Sequence, residues 1–181
     1  MLFRSEVHRR IADVVYVASP EAPEGGWRET NPDTVLHFNL PSQRRSGCPG
    51  AAAFAGAGEI ALFYQRLACP EESGEFAAVR PETIEFATKV RTLDYHVDAS
   101  TGLPVNRALS VIVAGDHPVE RGFGEHASAR AFGHSGAGGQ VAWCDPVTGL
   151  SVGFATNGFV TSERQRERTR MISTLAAEAL L

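Results

Sequence analysis

The segment that decides the fold covers residues 131–159 and reads AFGHSGAGGQVAWCDPVTGLSVGFATNGF. Its runs of β-branched, aromatic and small residues predict strands at 130–136, 139–145 and 150–157. The link DPVTG at 145–149 is a turn, because proline presets φ and glycine accepts a positive φ. Since short links join neighbouring strands, we expect these strands to be antiparallel.

One strand and several helices are predicted around this segment. ALSVIVAG at 108–115 is a continuous β-branched run, typical of a strand that is covered on both faces. Ser162 and Gln165 form a capping-box pattern that opens a closing helix. Helices, then antiparallel strands, then a helix indicate an α+β fold. The predicted buried stripes are Ile60, Phe63, Tyr64 and Leu67 in the first long helix, and Ile172, Leu175, Ala176 and Ala179 in the last.

The 181 residues suffice for one domain with a core, and they divide into three parts. Residues 19–50 are an irregular connection rich in proline and glycine, of a length that usually has a function or belongs to a larger body. Residues 51–92 form a helical lobe. Residues 108–181 supply the sheet strands and the closing helix.

Composition and charge argue against several classes of protein. Apolar residues make up 43% and charged residues 21% of the chain, and the formal net charge is −4. This charge gives no electrostatic reason to expect a nucleic acid partner. Long apolar runs are missing, so we expect no membrane span. The first residues lack the features of a secretory signal, which favours a cytoplasmic location.

No metal or cofactor site is expected from the sequence. Cys48, Cys69 and Cys144 lie far apart without a C-x-x-C spacing, so we expect reduced, buried thiols. The six histidines show no H-E-x-x-H or H-x-x-x-H pattern. Residues 56–61 fit G-x-G-x-x-A, but no convincing strand precedes them, which argues against a dinucleotide site.

A lone histidine stands between small residues, just before three glycines. Strand alternation puts His134 and Gly136 on one face and Ser135 on the other. Glycine in a strand often marks the close approach of a ligand or another backbone. We interpret Gly136, Gly138 and Gly139 as a bare strand edge beside a cleft, with the histidine projecting into it. The alternative is a glycine-rich turn before a hairpin, with an incidental histidine.

The segment FGHSGAGGQVAWCDPVTGLSVGFATNGF resembles the C-terminal region of serine β-lactamase-like hydrolases. That family includes class C β-lactamases, related penicillin-binding proteins and esterases. In it a strand carries a K-T-G or H-x-G triad, and a hairpin and a closing helix follow. Residues 49–90 resemble its helical lobe, and NRALSVIVAG resembles the strand before the triad. The resemblance implies that 1–181 is an incomplete, C-terminal portion of a β-lactamase-like domain, with an antiparallel sheet and flanking helices.

The resemblance assigns roles to four residues. His134, Ser135 and Gly136 would form the triad, with the histidine in the place of the family's lysine. The backbone N–H of Ala137 would be one donor of the oxyanion hole. Ser135 would contact the substrate where a local twist turns it inward.

The nucleophile and its base are absent from this sequence. The family transfers acyl groups through a serine in S-x-x-K, assisted by a tyrosine in Y-x-N. The single lysine, Lys89, follows Phe86 rather than a serine at this spacing, and no tyrosine is followed by asparagine at the second position. In the family both motifs lie N-terminal to the matched region. We therefore expect a C-terminal fragment, inactive alone, whose partner is the missing N-terminal half of the same domain.

Two further expectations follow from truncation. Residues 2–5 (LFRS) are similar to the translation of a sequencing-adapter end, which would make the start an assembly artefact. A sheet that lacks its outer strands exposes an unpaired edge, so we expect marginal stability or aggregation.

The function expected of the complete protein is hydrolysis of a small ester or amide through an acyl-enzyme, without a cofactor. Histidine is a poorer fixed cation than lysine for a carboxylate-bearing substrate, which favours an esterase over a β-lactamase or a D-Ala carboxypeptidase. Three loop residues before the triad strand, Asp116, His117 and Glu125, are candidates for shaping the pocket. The alternative is a genuine short module that binds a ligand or partner without turnover.

Overall fold

Short strands and helices alternate with irregular connections in the computed structural model, which describes residues 10–17, 32–47, 50–51, 53–70, 79–99 and 101–180. Within these residues no helix combines the length and the apolar character that crossing a membrane requires. The elements in chain order are β1 (Val15–Tyr16), α1 (Pro32–Leu36), a 3₁₀ turn (His37–Asn39), α2 (Pro41–Ser46), α3 (Ala57–Ala68), α4 (Pro81–Thr88), β2 (Ile112–Val113), β3 (Phe132–Ser135), β4 (Val141–Cys144), β5 (Ser151–Phe154), β6 (Gly158–Phe159) and α5 (Ser162–Glu178).

The central sheet contains four strands in the order β2-β3-β4-β5, and all neighbours are antiparallel. His134 pairs with Ala142 across β3 and β4, and Trp143 pairs with Val152 across β4 and β5. The turn at 145–149 joins β4 to β5. The α+β fold and the antiparallel hairpins predicted from the sequence are therefore confirmed.

The prediction of a strand over 108–115 was wrong in length. β2 covers Ile112–Val113 alone, because Ser110 has a φ of 63°, outside the extended region. β2 reaches only as far as Phe132 and Gly133 on β3. Past Gly133, β3 has no strand partner on this side among the described residues, so the triad positions lie at an open sheet edge.

The closing helix α5 packs on one face of the sheet through small residues. Its buried residues are Thr169, Ser173 and Ala177, and the Ser173 hydroxyl accepts a hydrogen bond of 3.0 Å from the buried indole of Trp143. Leu175, predicted in the buried stripe, is 59% exposed. That prediction was wrong because the face of α5 that meets the sheet carries Thr169, Ser173 and Ala177, and at about 3.6 residues per turn Leu175 lies on the far side of the helix from Ser173. The other predicted residues are half-buried or exposed: Ile172, Ala176 and Ala179.

The helix α3 lies on the opposite face, where a glycine allows close approach. A Cβ on Gly153 of β5 would collide with the backbone of Ala57 and Ala61. Tyr64 is half-buried there, and burial raises the pKa of its hydroxyl. Ile60 and Leu67 are also half-buried and Phe63 is exposed, so the stripe predicted as buried in α3 is only partly covered.

The connection at 19–50, predicted as irregular, contains more helix than expected. Residues 32–46 form α1, the 3₁₀ turn and α2, and Pro41 presets the backbone for the first turn of α2. The Asn39 carboxamide binds both backbone groups of Val14, at 2.7 and 2.8 Å. These bonds hold the helices against β1, which pairs in parallel with β6.

The three cysteines differ in burial. Cys144 is fully buried, and burial raises the pKa of its thiol, as expected of an inert core cysteine. Cys69 is half-buried rather than buried. Cys48 lies outside the described residues.

A buried carboxylate holds the β4–β5 turn. Asp145 accepts hydrogen bonds from the N–H and the hydroxyl of Ser128, both at 2.7 Å, and from the N–H of Val147 at 2.9 Å. Burial raises the pKa of this carboxyl, but these bonds and one from Thr148 outweigh it and bring the pKa below its ordinary value. The carboxylate thereby ties the turn to the segment that leads into β3.

Gly133→Ala should destabilise the protein, because the added Cβ would overlap Trp143 across the sheet. Overpacking of this kind costs about 1–3 kcal/mol. The matched control is Gly58→Ala in α3, where nothing lies within 4 Å of the added Cβ and helix propensity stabilises by about 0.5–1 kcal/mol. Urea unfolding followed by tryptophan fluorescence measures both. Equal unfolding midpoints for the two variants would contradict the packing described.

Asp145→Asn should lower the stability at pH 7 by about 1–3 kcal/mol, because the amide cannot accept the same set of hydrogen bonds. In the wild type the depressed pKa contributes stability above the unfolded-state pKa, and this contribution disappears as pH falls through the folded-state pKa. Between pH 7 and pH 3 the free energy of unfolding of the variant should therefore fall less than that of the wild type, as measured by urea unfolding at each pH. The control is Asp116→Asn, at an exposed loop carboxylate, whose free energy of unfolding should depend on pH as in the wild type.

Candidate active site

The predicted triad lies at the open end of β3. His134 is exposed and Ser135 is half-buried, since neighbouring side chains of a strand point to opposite faces. Both nevertheless line one cleft of about 830 Å³ between the edge of β3, the segment 98–107 and α5. Of the three loop candidates, Glu125 lines this cleft, whereas Asp116 and His117 are not among its lining residues.

Two contacts define the state of the His134 imidazole. Its Nε2 lies 3.0 Å from Nη1 of Arg107, and its Nδ1 lies 2.5 Å from the carbonyl oxygen of Ser135. A guanidinium only donates hydrogen bonds and a carbonyl only accepts them. These contacts therefore fit the tautomer with its proton on Nδ1 and the Nε2 lone pair directed at the guanidinium.

Arg107 is the residue of this site that sequence reasoning missed. It precedes β2 and forms an isolated bridge with Ile112, across the tight turn that contains Ser110. This turn brings the guanidinium beside β3, 27 residues away along the chain. No spacing motif marks such a pair, because the turn geometry alone creates the contact.

The glycines after the triad have two different roles. Gly138 and Gly139 are buried, with φ values of 82° and 90°, and they pack against Phe159 and Arg168. They form the turn into β4, so interpreting them as part of a bare edge was wrong. Their conformation requires glycine, and the space around them is filled. Only Gly136 is exposed beside the cleft.

Ala137 is exposed and presents a backbone donor. The N–H groups of its three neighbours in the segment 136–139 donate to acceptors at 2.7–3.2 Å. The N–H of Ala137 has no acceptor in the part of the chain that the structure describes. An N–H group that is held in place and unoccupied is what an oxyanion hole requires.

The residue Gln165 does not cap the closing helix as predicted. α5 begins at Ser162 with Thr161 at the N-cap position, and no side-chain cap is formed among the residues that the structure describes. The Gln165 carboxamide binds Gly136 and Gly138 instead. The capping-box prediction failed because these two backbone groups, distant in sequence, lie within reach of the side chain.

Arg107→Met should change the tautomer of His134, because the donor facing Nε2 is removed. We expect long-range ¹H–¹⁵N spectra to show an unprotonated Nε2 in the wild type and partial protonation of Nε2 in the variant. Arg91→Met is the control, since the Arg91 guanidinium lies over the Phe86 ring rather than beside His134, so its loss should leave the His134 spectrum unchanged. An unchanged His134 spectrum in Arg107→Met would contradict the contact.

Comparison with known proteins places this geometry in a family. Residues 6–176 match the family model described as Beta-lactamase. No curated protein matches the chain.

Three solved structures are similar in fold. A penicillin-binding protein homolog from Caulobacter crescentus is 24% identical with a TM-score of 0.62, over 99% of this chain and 47% of that chain. EstA from Arthrobacter nitroguajacolicus Rue61a is 20% identical with a TM-score of 0.65, over 97% and 48%. A beta-lactamase (Mb2281c) from Mycobacterium bovis is 24% identical with a TM-score of 0.55, over 68% and 43%. The chain spans about half the length of these structures, and the family match over most of its residues shows that it belongs to the beta-lactamase family of serine hydrolases.

Proposed function

We propose that the complete protein hydrolyses small acyl esters through an acyl-enzyme, and that this chain supplies one wall of the active site. The observation that carries the proposal is the unoccupied N–H of Ala137 beside His134, at the open edge of β3. A cleft of about 830 Å³ adjoins this edge, which is room for a small acyl substrate.

The proposed reaction needs groups beyond these 181 residues. A serine hydroxyl attacks the ester carbonyl carbon, and an adjacent base takes the hydroxyl proton and later delivers it to the leaving alcohol. Water then releases the acid from the acyl-enzyme. Since the sequence contains neither S-x-x-K nor Y-x-N, we place the nucleophile and base in a segment outside this chain, and we expect the chain alone to be inactive.

Within that reaction, residues of this chain stabilise charge and orient the substrate. The N–H of Ala137 donates to the oxyanion that forms when the carbonyl carbon becomes tetrahedral. His134 faces the reacting groups in the position of the triad's first residue. Ser135 lines the cleft, and the proposal gives it the role of binding the acyl portion.

An ester is favoured over a β-lactam or a D-Ala peptide because a histidine, which is a poorer fixed cation than lysine, stands where the family has a lysine. Arg107 keeps one permanent positive charge at 3.0 Å from this imidazole. Because this guanidinium already faces Nε2 of His134, the triad strand itself offers no fixed cation to a substrate carboxylate.

The test begins with the source DNA upstream of Met1. An open frame that encodes S-x-x-K and Y-x-N provides the complete protein, which is then assayed with p-nitrophenyl esters, a chromogenic cephalosporin and a D-Ala-D-Ala peptide. We expect the highest kcat/KM for esters. His134→Ala should lower kcat by roughly 10²–10³, as for loss of one polar group that stabilises the transition state.

The matched control is His126→Ala, at an exposed histidine that lines a different cleft. Equal effects of the two substitutions would refute the role of His134. A stop codon directly upstream, together with a folded 181-residue product that binds a ligand without turnover, would support the non-catalytic module instead.

A further inference from the structure

One side chain of α5 holds two consecutive peptide groups after the triad. Nε2 of Gln165 donates to the carbonyl of Gly136 at 2.9 Å, and its Oε1 accepts from the N–H of Gly138 at 3.0 Å. A carboxamide carries a donor at one end and an acceptor at the other. Glutamate offers only the acceptor when ionised, so glutamine is the side chain of this length that satisfies both groups.

The first of these bonds sets the direction of the Ala137 N–H. The carbonyl of Gly136 and the N–H of Ala137 belong to one planar peptide group, and no cis peptide occurs among the described residues. In a trans peptide group the C=O and N–H bonds point in opposite directions. Because the carbonyl points at Gln165, the N–H points away from α5.

A second donor strengthens this arrangement. The N–H of Gly139 also binds the Gly136 carbonyl, at 3.2 Å. Arg168, one turn after Gln165 on α5, binds the carbonyl of Gly138, and its guanidinium packs against Gly139. The peptide groups on both sides of Ala137 are therefore anchored to the same helix.

We propose that Gln165 is a positioning residue: it orients the Ala137 N–H toward the point where the oxyanion develops. The inference rests on the proposed function, in which Ala137 is the oxyanion donor. Gln165 acts through the peptide group rather than on the substrate, and preorganisation of such a donor contributes to the rate only when its direction is held in advance.

The first experiment measures the orientation in the 181-residue chain by ¹H–¹⁵N spectroscopy. Gln165→Met keeps the length of the side chain and removes both bonds, so the Ala137 and Gly138 signals should shift and the Gly138 amide should exchange roughly tenfold faster. Gln165→Glu keeps the acceptor for Gly138 but loses the donor to Gly136. It should shift Ala137 while the Gly138 amide stays protected.

Arg164→Met is the matched control on the exposed neighbouring position of α5, and it should leave both signals in place. Unchanged Ala137 signals in both Gln165 variants would overturn the proposal. Should Gln165→Met fail to fold, Gln165→Glu alone decides, because it retains one of the two bonds.

The second experiment uses the complete hydrolase with a p-nitrophenyl ester. Both Gln165 variants should lower kcat by about tenfold or more and leave KM unchanged, because an oxyanion donor acts on the transition state. A raised KM with unchanged kcat would assign Gln165 to substrate binding and overturn the positioning role.

The two proposals fail in different ways. Shifted Ala137 signals without ester hydrolysis by the wild type would refute the proposed function and support the orientation of Ala137 by Gln165. Normal ester hydrolysis with unaffected Ala137 signals would refute the positioning role and support the proposed function.

Discussion

The packing of Trp143 between the sheet and the closing helix is the interaction on which the rest of the structure depends. Its indole lies fully buried, opposite Gly133 of β3, and it donates a hydrogen bond to Ser173 of α5. A larger residue in place of the glycine would collide with the backbone of Ala142 and with the Cα and Cβ of Trp143. The contact between Trp143 and Ser173 thereby sets the distance between α5 and the sheet.

That distance decides what the first turns of α5 can reach. With Ser173 bound to the indole, Gln165 and Arg168 lie two turns and one turn earlier on the same helix, beside the glycines that follow β3. Their side chains bind three backbone groups of Gly136 and Gly138. The buried tryptophan and the exposed N–H of Ala137 are therefore linked through a single rigid helix rather than through neighbouring sequence.

The opposite side of the site depends on a tight turn. The positive φ at Ser110 ends the extended run early, so β2 is short and β3 keeps an open edge at His134. The same turn brings Arg107 back against Ile112 and within 3.0 Å of the imidazole. An early break in one strand thus provides both the open edge at His134 and the guanidinium within hydrogen-bond distance of its imidazole.

The sequence by itself determined the elements whose causes are local. The alternating strands around 130–157, the turn at 145–149 and the helices α3 to α5 follow from residue periodicity and from proline and glycine at turns. The family was also predicted, because its motifs are written in consecutive residues. The triad roles of His134, Ser135 and Gly136 stay predictions. The tertiary structure alone decided the buried face of α5, the partners of Gln165, the contact of Arg107 with His134 and the filled space around Gly138. Each of these depends on groups that lie far apart in the chain, whose meeting is fixed by packing and turn geometry rather than by sequence spacing.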